Sequence, residues 1–193
     1  SHIAFMARQA RGLVCLAMTR NRCAELELPL MVESDDSQSP FTLSIEAATG
    51  IDTGISAADR ARTVRVAVDS ATRPADLVQP GHIFPISAAE GGVLTRTAPA
   101  EAAIDLATLA GLTPAAVFTE VLDSAGAVAD APFLAQFAAQ HELVVGRVSE
   151  LVTYRLTNQK TIEKVRRGAL QSRYGELDLH AYRDTTHGRI HLA

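Results

Sequence analysis

The sequence predicts an α/β (α+β) chain, with a three-layer mixed sheet carrying helices on both faces followed by a short, truncated β segment. Three observations predict it. Apolar runs of strand length alternate with helical periodicities up to about residue 155, no internal repeat interrupts that order, and beyond it the composition turns polar before an alternating pattern resumes.

Composition sets the bounds. A chain of 193 residues holds one ordinary domain plus part of another. With 47% apolar and 21% charged residues it reads as globular rather than disordered. The net charge of −4 offers no basic footprint for nucleic acid. No apolar run reaches the roughly 18 residues of a membrane span, and the opening SHIAFMARQA lacks the order of a signal peptide, so no membrane association is expected and cytoplasmic is the default location. Cys15 and Cys23 make neither a disulfide framework nor a zinc site and read as buried or partly exposed thiols.

The elements follow in order. Ile3, Phe5, Met6 and Ala10 recur at helical spacing before Gly12, which predicts a short helix over 3–11. The continuous apolar run Leu13–Met18 predicts a strand buried on both faces. A helical turn over 20–27 stops before Pro29, and 33–40 is a polar loop. Alternation over Phe41–Glu46 predicts a strand. Ser56 then caps a helix whose face carries Ala57, Ala61, Val64 and Val68, with Asp59 in its first turn.

Prolines and glycine make 72–81 a connection, and His82–Ile86 a short strand whose Pro85 suggests a sheet edge or strand end. A helix from Pro99 stops at Ala110-Gly111. Ala115–Leu122 reads as a buried strand containing Glu120, followed by a helix at 131–141, a last strand at Leu143–Val145 and a helix from Ser149 to Tyr154. Residues 156–168 form a polar, basic linker. Two strands, Tyr174–Tyr182 and Arg189–Leu192, flank a turn at Asp184–Gly188. Two strands cannot stand alone, so they read as the start of a second domain.

Chemistry concentrates in 81–105, where His82, Glu90, Gly91-Gly92, Arg96 and Glu101 precede or open a helix, the ingredients of a site for an anionic small molecule. Each group has a plain alternative. His82 also reads as a structural histidine at a sheet edge, Arg96 as a surface arginine, Asp59 and Thr53 as cap and turn residues, and Glu120 as half of a buried ion pair. No P-loop, dinucleotide fingerprint, nucleophile elbow or zinc-protease motif is present.

Taken in order, Thr53-Gly54-Ile55-Ser56-Ala57-Ala58-Asp59-Arg60, Pro80-Gly81-His82-Ile83-Phe84-Pro85, Gly91-Gly92-Val93-Leu94-Thr95-Arg96 and Glu101-Ala102 through Leu109-Ala110-Gly111-Leu112 closely resemble the 3,4-dihydroxy-2-butanone 4-phosphate synthase family over about Ile3 to Arg155. Tyr174-Gly175-Glu176 through His180-Ala181-Tyr182-Arg183-Asp184 is similar to the opening of GTP cyclohydrolase II, the order found in bifunctional riboflavin-pathway proteins. The domains implied are 1–155, a linker over 156–168, and a fragment over 169–193.

The resemblance implies a homodimeric cytoplasmic lyase with sites at the subunit interface. It would use Mg2+, or Mn2+ in its place, to convert D-ribulose 5-phosphate into 3,4-dihydroxy-2-butanone 4-phosphate and formate. Carried over by position, Arg96 binds the phosphate with help from the helix start at Glu101. Thr53, Asp59 and His82 line the pocket, Glu120 is the acid/base, and Cys15 lies near the site. Two departures stand against this pattern. The family's glycine-histidine-threonine-glutamate run is Ala98-Pro99-Ala100-Glu101 here, so Pro99 replaces a metal-ligand histidine, and the family's acidic loop belongs upstream of Ile3. No metal ligand is therefore assigned, and impaired turnover is one expectation. A silent dimerising scaffold for a fused cyclohydrolase, or a metal-independent sugar-phosphate binder, are the alternatives.

Overall fold

The computed structural model describes residues 2–32, 40–186 and 188–193. Most of the polar loop expected at 33–40 therefore lies outside the described residues. A four-stranded mixed sheet, in the order β2-β3-β1-β4, forms the centre. Its strands are β1 (Cys15–Thr19), β2 (Ile45–Ala47), β3 (Leu77–Ala88) and β4 (Ala115–Phe118). β1 lies parallel to β3 and antiparallel to β4, and β2 is antiparallel to β3.

The two-sided burial expected of the first apolar run holds from Val14 to Met18 by strand alternation, while Leu13, ahead of the strand, is half exposed. Val14, Leu16 and Met18 point to one face, where they meet Leu26, Ile45 and Ile83. Cys15 and Ala17 point to the other, against Ile86, Ala88, Ala100 and Ile104. Helix α3 (Ala57–Val68) covers the first face and α4 (Pro99–Leu109) the second. Small side chains on the second face let α4 approach the sheet closely. The result is the three-layer arrangement expected.

Helices α3 and α4 begin where the sequence predicts. Thr19 caps α2 (Arg20–Glu25), Ser56 caps α3 by accepting the Asp59 N–H at 3.0 Å, and Pro99 takes the first position of α4. On α3, Val64 and Val68 pack against the core as expected, but the fully buried residues are Thr63 and Ala67 rather than Ala57 and Ala61. The stripe is rotated because the Thr63 hydroxyl accepts the Ala47 N–H at 3.0 Å, drawing a polar side chain inward. The N-terminal helix is α1 (His2–Phe5), continued by a wider π-type turn over Met6–Ala10 and ended by Arg11 in a left-handed conformation.

Several expectations give way to tertiary pairing. β3 runs twelve residues through Pro80 and Pro85, so 77–81 is strand rather than connection, and Pro85 sits in a central strand rather than at an edge. Proline costs only its own N–H: the β1 register runs through Pro85, whose carbonyl accepts the Thr42 N–H at 3.0 Å. The strand expected at Phe41–Glu46 shortens to β2, with Phe41 and Thr42 in isolated bridges. β4 ends at Phe118 and is half-buried, since it forms the sheet's edge. Glu120 is therefore exposed, not embedded in a strand. Leu143–Val145 forms no strand, and Val144 is 99% exposed.

Helices α5 (Ala131–Gln140) and α6 (Val148–Asn158) fall close to expectation, α6 running four residues further. Most of the linker read at 156–168 is not one. β5 (Ile162–Ser172) pairs antiparallel with β6 (Gly175–Asp184), which pairs with β7 (Ile190–Leu192) in a second sheet. The second unit thus has three strands where two were expected. A register shift between Lys164 and Arg166, together with exposure along almost the whole of β5, hides its strand alternation.

Candidate active site

The residues between β3 and α4 make a tight loop. Gly91 and Gly92 have φ of 86° and 63°, a pair of left-handed conformations that side chains resist. The N–H groups of Thr95 and Arg96 fold back on the Gly92 carbonyl at 3.0 and 3.1 Å. This fold aims the Arg96 guanidinium at the first turn of α4, where it meets the Glu101 carboxylate. Glu101 is fully buried, and the same oxygen accepts the Ala89 N–H at 2.8 Å. Its other oxygen, Oε2, and Arg96 Nε are buried without hydrogen-bond partners.

Both residues line a cavity of about 380 Å3, walled by Ile86, Phe41, Phe118, Cys15 and Pro99, with Glu120 at its side. Buried polar atoms are normally satisfied, so an acceptor and a donor left unpaired just behind the cavity wall set this pair apart from an ordinary buried salt bridge. Burial first, and the Glu120 charge second, push the Cys15 thiol up to about 11. It is a neutral thiol at physiological pH, suited to lining the cavity rather than to nucleophilic attack.

The other expected site residues form a second group. His82 Nδ1 pairs with the Glu46 carboxylate. Gly54, at φ 79°, lies so close to Glu46 that a Cβ there would meet its Oε1 at 1.8 Å, and the Gly54 N–H donates to Asp59 at 3.1 Å. Thr53 precedes this turn, exposed. Alternation puts His82, Phe84 and Ile86 on one face of β3, so His82 lies about 13 Å along that face from Ile86 in the cavity wall. Cys15, Arg96, Glu101 and Glu120 are thus brought together, while Thr53, Asp59 and His82 cluster separately. Glu46 escaped notice although its polar position in the alternating 41–46 run was a signal. Asp105 and Arg155, described below, also escaped.

Residues 1–154 match the 3,4-dihydroxy-2-butanone 4-phosphate synthase family. The chain belongs to that family. A 3,4-dihydroxy-2-butanone 4-phosphate synthase of Pseudomonas aeruginosa is 49% identical over 193 residues, covering 99% of this chain and 53% of the relative. The crystal structure of RibBX, a two domain 3,4-dihydroxy-2-butanone 4-phosphate synthase from A. baumannii, superposes with a TM-score of 0.90 at 45% identity, covering 99% of this chain and 57% of that one. A 3,4-dihydroxy-2-butanone 4-phosphate synthase in complex with two magnesium ions gives a TM-score of 0.76 at 32% identity, covering 81% and 79%. The chain therefore spans about half the length of the curated relatives it matches. None of these names supports a silent or scaffolding domain.

One of these relatives holds two magnesium ions, and the donors in the cavity bear on whether this chain offers a similar site. Among the described residues no three His, Cys, Asp or Glu side chains cluster as a metal group. Arg96 already neutralises Glu101, and Pro99 places no lone pair at the start of α4. The described residues do not fit a protein-held divalent cation. Among the described residues no helix is long and apolar enough to cross a membrane.

Proposed function

We propose that this protein acts in riboflavin biosynthesis as a 3,4-dihydroxy-2-butanone 4-phosphate synthase, taking D-ribulose 5-phosphate to 3,4-dihydroxy-2-butanone 4-phosphate and formate in the cytoplasm. The observation that carries the reading, beyond family membership, is the cavity whose wall holds Arg96 against a fully buried Glu101 with unpartnered polar atoms on both. Arg96 holds the phosphate, a planar fork meeting a tetrahedral anion. Glu101 fixes the guanidinium from behind the cavity wall. Glu120, exposed at the cavity side, moves protons at the carbons next to the carbonyl. Cys15, held neutral, fills space without attacking the ketone. Substrate and products balance in atoms and electrons, so no oxidant is required.

A homodimer completes the site in this reading. Leu106, Leu109 and Leu112 on and after α4, Val144 and Val145, and Tyr154 on α6 are exposed large apolar groups, which on a monomer would be a costly surface. Thr53, Asp59 and His82 assist from their separate group, with His82 and the Glu46 carboxylate forming a proton-transfer pair. Residues 169–193 belong to the opening of a second domain, of the cyclohydrolase type by the resemblance of 174–184.

Formate release from D-ribulose 5-phosphate by the full-length protein, with magnesium supplied, tests the reading. Arg96→Ala is expected to raise KM at least tenfold, and Glu120→Gln to lower kcat by about 10². Absence of formate from the folded wild-type protein would overturn it.

A further inference from the structure

Resting on the reading of Arg96 as the phosphate clamp, we propose that Asp105 and Arg155 are a positioning pair that sets the clamp's geometry from the far side of the Gly91-Gly92 loop. Helix α4 offers two acids on one face, Glu101 and Asp105, four residues apart and both buried. Glu101 takes the loop's entry through the Ala89 N–H, and Asp105 Oδ2 takes its middle through the Val93 N–H at 2.9 Å. One helix face therefore pins the loop at two points four residues apart.

Arg155, on α6, closes the arrangement. Its NH1 donates to Asp105 Oδ2 at 2.8 Å and to the Gly91 carbonyl at 2.6 Å, and its Nε donates to Gln159 at 2.9 Å. The pair is well shielded, with side chains 14% and 9% exposed. α6 has no fully buried residue, and Arg155 is half-buried together with Val148, Leu151 and Val152. An arginine that ties this helix to the loop through both a carboxylate and a backbone carbonyl does more than cover a surface.

The loop has no slack to absorb a change. A Cβ on Gly92 would meet Asp105 Oδ1 at 2.0 Å, so the acid sits directly against the glycine whose carbonyl receives the Thr95 and Arg96 N–H groups. Asp105 thus fixes Gly92, Gly92 fixes the backbone of Arg96, and Arg155 fixes both Asp105 and Gly91. Neither residue reaches the cavity wall that Arg96 and Glu101 form. They act on substrate only through the arginine they position.

The test measures binding of D-ribulose 5-phosphate to the full-length protein by calorimetry, with melting temperature recorded for each variant. Arg155→Ala and Asp105→Asn are expected to weaken binding about tenfold and about threefold in protein that is still folded at the assay temperature. Arg155→Lys, which keeps a donor for Asp105 or Gly91, is expected to recover most of the loss. A purely structural tie would lower the melting temperature and leave the affinity of the folded protein unchanged, and that result overturns the proposal. If Arg155→Ala does not fold, the lysine and asparagine variants decide, since an affinity equal to wild type in both overturns it as well. Arg96→Ala separates the two levels. If it weakens binding while the Arg155 and Asp105 variants do not, only this inference fails. If it leaves binding intact, or if the wild type does not bind, the clamp reading fails and this inference falls with it.

Discussion

Cys15 and Cys23 show how position changes what a side chain can do. Both are free and buried, and both thiols are raised to about 11, chiefly by burial. Their folded values lie above the unfolded value of 9.0, so the folded chain keeps protons that the unfolded chain has released as pH rises. Stability is therefore expected to hold below pH 9 and to fall from there toward pH 11, by on the order of 2 kcal/mol per thiol. Denaturant melts at pH 8 and pH 10.5 check this, and a Cys15→Ala, Cys23→Ala double variant should show a flatter alkaline slope. Residue identity was legible for Arg96, Glu101 and Cys15, each of which lies on the cavity. It misled for Glu120, whose apolar neighbours in sequence suggested burial. At a sheet edge that ends two residues earlier, the same neighbours leave it in solvent.

Caps and glycines settle where the elements begin and end. Ser56 and Pro99 were readable because a helix start is set within its own turn, independent of the rest of the chain. Ser56→Ala is expected to cost about 1 kcal/mol in urea melts, with little change at the cavity. Gly92→Ala should cost more, since the new Cβ meets both a left-handed φ and the Asp105 carboxylate. A melting temperature within 1 °C of wild type would contradict the tight loop. Strand ends were harder. β3 passes through two prolines because its neighbours supply the remaining ladder, and β5 looks like a linker because pairing with β6, rather than burial, holds it.

On the scale of the whole molecule, the central sheet divides the core into two faces, and the site occupies the face covered by α4. The second sheet is not remote from it. A Cβ on Gly91 would come within 3.0 Å of Thr186, so the turn after β6 lies against the site's loop. The exposed apolar groups around α4 and α6 make the proposed dimer testable: sedimentation of Leu106→Lys with Val144→Asp is expected to give a monomer where the wild type gives twice its mass. An unchanged sedimentation mass would place the interface elsewhere. The sequence by itself determined the layered α/β class, the helix starts and the family, because alternation, caps and ordered motifs are local properties of the chain. Only the tertiary structure decided that Glu120 is exposed, that His82 pairs with Glu46, and that Asp105 and Arg155 grip the glycine loop. The last two depend on segments from 12 to 64 residues apart meeting in space, which no local pattern records.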